Sequence, residues 1–136
     1  MSRRLRNNIG WLLVAGLLGG GLAVARAEPV DPTPNYVKFE PIIVPVFIDN
    51  RSAGLLSVQV QLDPREDGDR ALIEASRPRL IDAYTHALID HARLYVDPLA
   101  PIDVDALARR LGAATDATLD MATPRLLVIE AMAQPA

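Results

Sequence analysis

Residues 55–62, Leu-Leu-Ser-Val-Gln-Val-Gln-Leu, are the stretch that decides the fold. From Leu56 onward every second residue is apolar, and Ser57, Gln59 and Gln61 stand between the apolar ones. Successive side chains of a strand point to opposite faces, so this alternation predicts a strand with one buried face and one wet face.

The segment before it is also strand-like, over residues 36–40, 42–44 and 46–48. Pro41 and Pro45 each remove a backbone donor, which places this strand at an edge of the sheet or breaks it at a bulge. Residues 49–54, Asp-Asn-Arg-Ser-Ala-Gly, have the composition of a turn. The two strands and this connection predict an antiparallel hairpin.

Helical periodicity follows the strands. Asp69 is predicted to be the N-cap of a helix that begins at Arg70. Pro78 either kinks this helix or opens a new one, and the helical period then runs to about Val96. The predicted apolar face holds Leu80, Tyr84, Ala87, Leu88, His91 and Tyr95, and the predicted charged face holds Arg79, Asp82, His86, Asp90 and Arg93.

A second helix is predicted from Asp103, whose carboxylate serves as its N-cap. Asp105 lies in the first turn and can reach Arg109 at i,i+4. The predicted apolar face of this helix holds Val104, Leu107, Ala108, Leu111, Thr115, Thr118 and Leu119. Thr123-Pro124 is expected to end it.

The last element, residues 125–132, is mostly apolar, which predicts a central strand paired on both sides. The chain is therefore expected to be an α+β domain with a small antiparallel or mixed sheet of about three strands. The expected order is strand, strand, kinked helix, helix, strand, and the two helices cover one face of the sheet.

Composition restricts the class of protein. The 136 residues are enough for one domain, half of them are hydrophobic, and none is cysteine. The lack of cysteine excludes disulfide bonds, thiolate zinc sites and a cysteine nucleophile.

Residues 1–27 are typical of an export signal. Three arginines lie in residues 1–8, residues 9–24 are uncharged and apolar, and Ala25-Arg26-Ala27 is a small-x-small cleavage site. We predict cleavage after Ala27, and a retained inner-membrane anchor through residues 9–24 is the alternative. Both place the remainder in the periplasm. Residues 28–35 form a proline-rich tether, and residues 36–134 form the folded domain.

The exported part is acidic. Residues 1–27 hold four of the 14 basic residues and none of the 17 acidic ones, so the other 109 residues carry ten basic against 17 acidic, a charge of −7. Nucleic acid and anionic membrane surfaces attract clustered positive charge, so neither is an expected partner.

Two features of the predicted first helix carry side chains suited to chemistry. Asp82, His86 and Asp90 follow one another at i, i+4 and i+8 and carry ligands for a divalent metal, but the flanking arginines favour a solvated face. His91 is expected to be a buried neutral histidine bonded to a backbone carbonyl.

An acidic cluster surrounds Gly68 and lacks the EF-hand spacing, so a solvated loop is expected. It consists of Asp63, Glu66, Asp67 and Asp69. No catalytic, cofactor-binding or metal-ligating residue is predicted, and we do not expect an enzyme.

The order of these segments resembles the FliL family of flagellar basal-body-associated proteins. Residues 36–44, Tyr-Val-Lys-Phe-Glu-Pro-Ile-Ile-Val, resemble the family's first strand, and residues 55–62 its Val-x-Val-x-Leu second strand. Arg77-Pro78-Arg79-Leu80-Ile81-Asp82-Ala83 resembles the entry to its long helix. Residues 105–111 and 126–134 are similar to its last helix and closing strand.

This resemblance implies a periplasmic domain similar to the stomatin/prohibitin (SPFH) core. It implies a non-enzymatic role in motility, in which a ring of copies supports the stator proteins MotA and MotB. It supplies no catalytic, cofactor or metal residue. The chain departs from the family in its apparent cleavage site and in its short linker, and both favour an alternative, a soluble periplasmic binding or accessory module unrelated to motility.

Overall fold

The computed structural model describes residues 35–120 and 124–136. The predicted export segment, residues 28–34 of the tether, and Thr123 of the predicted helix stop lie outside the described residues. The described elements are, in chain order, β1 (Val37–Lys38), β2 (Ile42–Ile48), β3 (Arg51–Asp63), α1 (Asp69–Ala75), α2 (Arg77–Tyr95), α3 (Val104–Thr118) and β4 (Arg125–Pro135).

The α+β class is confirmed, with more elements than expected. The sheet has four antiparallel strands instead of about three, and three helices accompany it instead of two. The predicted first strand is divided before Pro41 into β1 and β2, because a proline cannot continue the ladder of hydrogen bonds. The predicted kinked helix is divided at Ser76 into α1 and α2.

A tight turn joins β2 to β3. Asp49 and Asn50 have φ values of 49° and 62°, and Ile48 pairs with Arg51 on either side of them. Two consecutive positive φ values characterise the type I′ turn, whose twist matches that of a hairpin, and Asp and Asn tolerate this region. The hairpin is confirmed, but the predicted six-residue turn is wrong, since β3 already begins at Arg51.

The strand over residues 55–62 is the centre of the sheet. β1 and β2 pair with successive parts of β3 along one side, and β4 pairs along the other side over Gly54 to Asp63. The prediction that the last strand is central is therefore wrong. The apolar residues of β4 lie on the two faces of the sheet. How deeply these faces are buried does not show whether both edges of the strand are paired.

The alternation in β3 separates the two faces as predicted. Leu56, Val58, Val60 and Leu62 are buried on the inner face, where α2 packs on β2 and α3 packs on β4. On the outer face Ser57 and Gln59 are half-buried. Gln61 is buried there as well, contrary to the prediction, because Lys38 of β1 and Leu127 of β4 flank it.

The helix caps match the predictions in part. Pro78 lies in the first turn of α2, so it opens a new helix. The Asp103 carboxylate accepts from the backbone N–H of Ala106 at 2.9 Å, which confirms it as the N-cap of α3. Asp69 is not a cap: it is the first residue of α1, and its carboxylate accepts from the backbone N–H of Glu66 at 3.3 Å.

A buried hydroxyl pair joins the two long helices. The Tyr84 hydroxyl lies 2.7 Å from Oγ1 of Thr115, which donates to the Leu111 carbonyl at 2.9 Å. A threonine hydroxyl has one proton, so Tyr84 is the donor in this pair. Burial raises the pKa of Tyr84 to about 12, and the phenol therefore remains protonated and keeps this bond.

Arg77 fastens the beginning of the sheet to α2. Its guanidinium donates to the Lys38 carbonyl at 2.8 Å, contacts Glu74 at 2.8 Å and stands 4.7 Å from the centre of the Phe39 ring. Phe39 in turn meets Tyr84 edge-to-face at 5.6 Å. The residues between β1 and β2 are thus held against the helical layer.

Candidate interaction surface

The outer face of the sheet carries apolar side chains at one end. Ile43, Leu55 and Met132 are 60%, 47% and 41% exposed. The register places Ser57 of β3 between Ile43 of β2 and Met132 of β4, so Ile43, Ser57 and Met132 form a row across three strands. The next row is Pro45, Leu55 and Gln134, and together the two rows form an exposed, mostly apolar patch, which we call the outer patch.

The β4 edge adjoins this patch. Within the described residues β4 pairs with β3 alone, so one of its edges is free over 11 residues. Ile129 is the extra residue of a bulge between the pairs Gln59–Glu130 and Val60–Val128, and it is 52% exposed. A long strand edge with exposed apolar side chains is a template for pairing with another chain.

The opposite edge is less suited to pairing. β2 is an edge strand, as its prolines predicted, and the exposed Pro45 removes one donor from it. Its register also shifts between Val46 and Phe47, which is the predicted bulge. Natural proteins protect sheet edges by such prolines and bulges.

The charged side of α2 is exposed as predicted. Arg79, Asp82, His86, Asp90 and Arg93 all face solvent, and Arg79 donates to the Thr118 carbonyl at 3.0 Å. No group of three or more histidine, cysteine, aspartate or glutamate side chains in residues 35–120 and 124–136 is arranged to hold a metal ion.

The acidic loop beside α1 is likewise mostly solvent-facing. Glu66 and Asp67 are exposed, while Asp63 and Asp69 are half-buried. Beside this loop Glu74 of α1 pairs with Arg77 at 2.8 Å and with Arg70 at 4.0 Å. The predicted pair of Asp105 with Arg109 is not formed.

His91 is buried, but it lacks the predicted carbonyl partner. It is 2% exposed, and its Nδ1 atom has no hydrogen-bond partner among the described residues. Burial, and then the positive charge of Arg110, lower the pKa of His91, while the Asp103 carboxylate acts in the opposite direction. The imidazole is therefore neutral near pH 7, and a buried polar atom without a partner costs about 1–3 kcal/mol.

Tyr95 also departs from the prediction, which placed it on the apolar face of its helix. It occupies the last position of α2 and is exposed, with its ring 5.3 Å from that of His91. The end of a helix extends past the body that the helix packs on, so helical periodicity overestimates burial there.

Sequence reasoning placed an edge strand at Pro41 and Pro45, and it missed the β4 edge. No pattern within residues 125–132 marks β4 as an edge strand, because the burial of its two faces does not depend on how many neighbours pair with it.

None of the described helices is both long enough and apolar enough to span a bilayer. Comparison of the chain with family models, with curated proteins and with solved structures found no match.

Proposed function

We propose that this protein is an exported, non-enzymatic interaction module that supports the flagellar stator from the periplasm, in the manner that its resemblance to the FliL family implies. The proposal includes an SPFH-like character of the domain, self-association into a larger assembly, and contact with MotA or MotB. The observation that carries it is the free β4 edge beside the outer patch.

Three features of the edge and patch support a role in binding protein. The edge offers unpaired backbone donors and acceptors, which a partner strand can use in β-augmentation. Ile129 and Met132 add exposed apolar side chains on or beside that edge. Exposed contiguous apolar surface on a small domain is typical of interaction sites.

The polar groups support the same role. The sheet's outer surface combines apolar side chains with the amides of Gln59 and Gln134, and Gln59 donates to the Phe39 carbonyl at 3.2 Å. Such a mixture of apolar and polar groups is characteristic of protein interfaces.

Site-directed crosslinking tests the proposal. Because the chain has no cysteine, Ile129→Cys introduces a unique thiol at the β4 edge. A thiol-reactive photo-crosslinker on this variant is expected to capture a stator protein or another copy of the chain in flagellated cells. The matched control is Ile48→Cys, an exposed isoleucine on the opposite edge strand and outside the outer patch, from which capture should be much weaker.

Gene deletion provides the functional test. Loss of the protein is expected to reduce swimming in viscous medium, where the load on the motor is highest. Unchanged swimming in a flagellated host, together with no stator capture from position 129, would overturn the flagellar role.

A soluble periplasmic accessory module unrelated to motility is the second candidate. The cleavage motif Ala25-Arg26-Ala27 and the short residues 28–35 favour it, because a released domain has no membrane tether to hold it beside a motor. N-terminal sequencing of protein from cells should begin at Glu28 in this case. Position 129 should then capture a periplasmic protein outside the motor while swimming remains normal.

A further inference from the structure

A cavity of about 280 Å³ lies between the last turns of α2 and the first half of α3. His91 and Tyr95 line it from α2, and Ala106, Arg109 and Arg110 line it from α3. Because His91 and Tyr95 are four residues apart, as are Ala106 and Arg110, each helix presents one face to this space.

Two positive charges stand in the wall of the cavity without a carboxylate partner. In the described part of the chain neither Arg109 nor Arg110 has an acidic oxygen within 4.0 Å, although the exported region as a whole is acidic. Arg110 instead lies over the Tyr95 ring, 5.3 Å from its centre. This stacking holds the guanidinium at the cavity and leaves its N–H donors available.

The acidic group that faces this region is already engaged. The Asp103 carboxylate, which favours the charged form of His91, accepts the Ala106 N–H as the cap of α3. It therefore offsets only part of the positive charge that the two arginines bring.

His91 is the second, independent sign of a ligand. It is almost entirely buried in the cavity wall, and its Nδ1 atom has no partner. Buried polar side-chain atoms are nearly always hydrogen-bonded, so an unpaired one in a residue that lines a cavity together with Arg109 and Arg110 points to a polar group that the described residues do not supply.

We propose that the cavity binds a small oxyanion, a carboxylate or a tetrahedral anion of the phosphate type, between Arg109, Arg110 and His91. The fork of a guanidinium matches the paired oxygens of both anions. An imidazole that gains a proton on binding adds a third positive donor. This site does not depend on the function proposed above, since none of its lining residues belongs to β4 or to the outer patch.

Titration of the isotope-labelled full chain with sulfate and with acetate tests the site by NMR, with chloride at matched ionic strength as the reference. Saturable chemical-shift changes of Tyr95, Ala106 and the His91 ring are expected with at least one oxyanion. Whether sulfate or acetate binds more tightly shows whether the site prefers a tetrahedral anion or a carboxylate. Equal effects of chloride, or shifts that never saturate, would overturn the proposal.

Substitutions localise the binding. Arg109→Gln and Arg110→Gln are each expected to weaken the oxyanion about tenfold, the loss of one charge-assisted hydrogen bond. Arg93→Gln, an exposed arginine of α2 outside this cavity, should leave the affinity unchanged. Arg109 is exposed as well, so its substitution tests the site without disturbing the core. Equal affinity in all three variants would refute the assignment.

The titration of His91 gives a readout that a general salt effect would not reproduce. If the anion lies against the imidazole, saturating sulfate stabilises the protonated ring, and the pKa of His91 must rise. The exposed His86 serves as the internal reference. A His91 pKa that moves no more than that of His86 would show that the anion does not reach the cavity.

Discussion

The two long edges of the sheet meet solvent in different ways. The β2 edge is seven residues long, carries Pro45 in its middle and is bulged after Val46. The β4 edge is 11 residues long, contains no proline before Pro135, and is interrupted by one bulge at Ile129. One edge is thus protected against pairing, and the other is largely open.

The difference shows how one sheet can expose one edge to pairing while the other is protected. If the proposed association occurs through the sheet, it is expected at β4, where the outer patch adds apolar surface. Four predictions test this asymmetry, from the largest expected effect to the smallest.

Gly54→Ala should break the β4 side of the sheet. A Cβ atom at this position would collide with the Gln134 carbonyl of β4, whose backbone cannot yield as a side chain can. The expected loss is about 3 kcal/mol, the upper end of the range for overpacking. Hydrogen exchange should show β4 amides losing protection before those of β2.

The control for this variant is Gly112→Ala in α3, where an added Cβ meets no atom within 4 Å. It should stabilise the protein, by up to about 1 kcal/mol, through helix propensity. Equal protection of β2 and β4 in Gly54→Ala would contradict the special role of this close approach.

Core truncations compare how firmly each edge strand is packed. Val44 of β2 is fully buried under α2, so Val44→Ala should cost about 2 kcal/mol for the lost methyl groups and the cavity. Val128 of β4 is half-buried, and Val128→Ala should cost about half as much. Urea denaturation of both variants measures the difference, and a larger cost at Val128 would reverse the expected ranking.

Acid should destabilise the fold through His91. This residue belongs to α2, which packs on β2, and it lines the pocket between α2 and α3, the helix that packs on β4. Its pKa is lowered in the fold, so the unfolded chain takes up the proton first, near its ordinary value of 6.5. The stability that the neutral, buried His91 contributes is complete above that pH, and it is lost as the pH falls toward the lowered pKa of His91 in the folded chain.

Urea midpoints at about pH 7.5 and about pH 5 measure this effect, and the window spans the ordinary histidine pKa. His91→Gln should flatten the dependence on pH, whereas the exposed His86→Gln should leave it as in the parent chain. If both variants behave alike, His91 is not the group responsible. Exchange of β2 and β4 amides at the lower pH shows whether the two edges loosen together.

Charging the open edge should have the smallest effect on stability. Ile129→Lys replaces a half-exposed side chain and should change the free energy of unfolding by no more than about 0.5 kcal/mol. It should nevertheless reduce self-association measured by sedimentation, because a lysine on an edge opposes strand pairing. Ile48→Lys on β2, outside the outer patch, is the matched control, and an equal loss of association there would remove the distinction between the edges.

Much of the fold could be predicted from local patterns. The alternation in residues 55–62, the turn chemistry of Asp49 and Asn50, and the cap at Asp103 each follow from interactions within a few residues. The helical face of Leu80, Tyr84 and Leu88 follows from the period alone.

The candidate surface was less predictable. Whether β4 lies at the centre or the edge depends on how many strands compete for β3, and no property of residues 125–132 records that number. The pocket around His91 requires two helices whose relative placement is set by packing. Arg109 and Arg110 of α3 line this pocket together with His91 and Tyr95 of α2, and only the packing of the two helices brings these side chains together.

The amino-acid sequence by itself determined the faces of the strands and helices, because a side chain's burial follows the short periods of the backbone. Tertiary structure alone decided the free edge of β4, the unpartnered Nδ1 of His91 and the collision site at Gly54. Each of these depends on which distant segment of the chain packs alongside, and the packing of all segments around one core decides that.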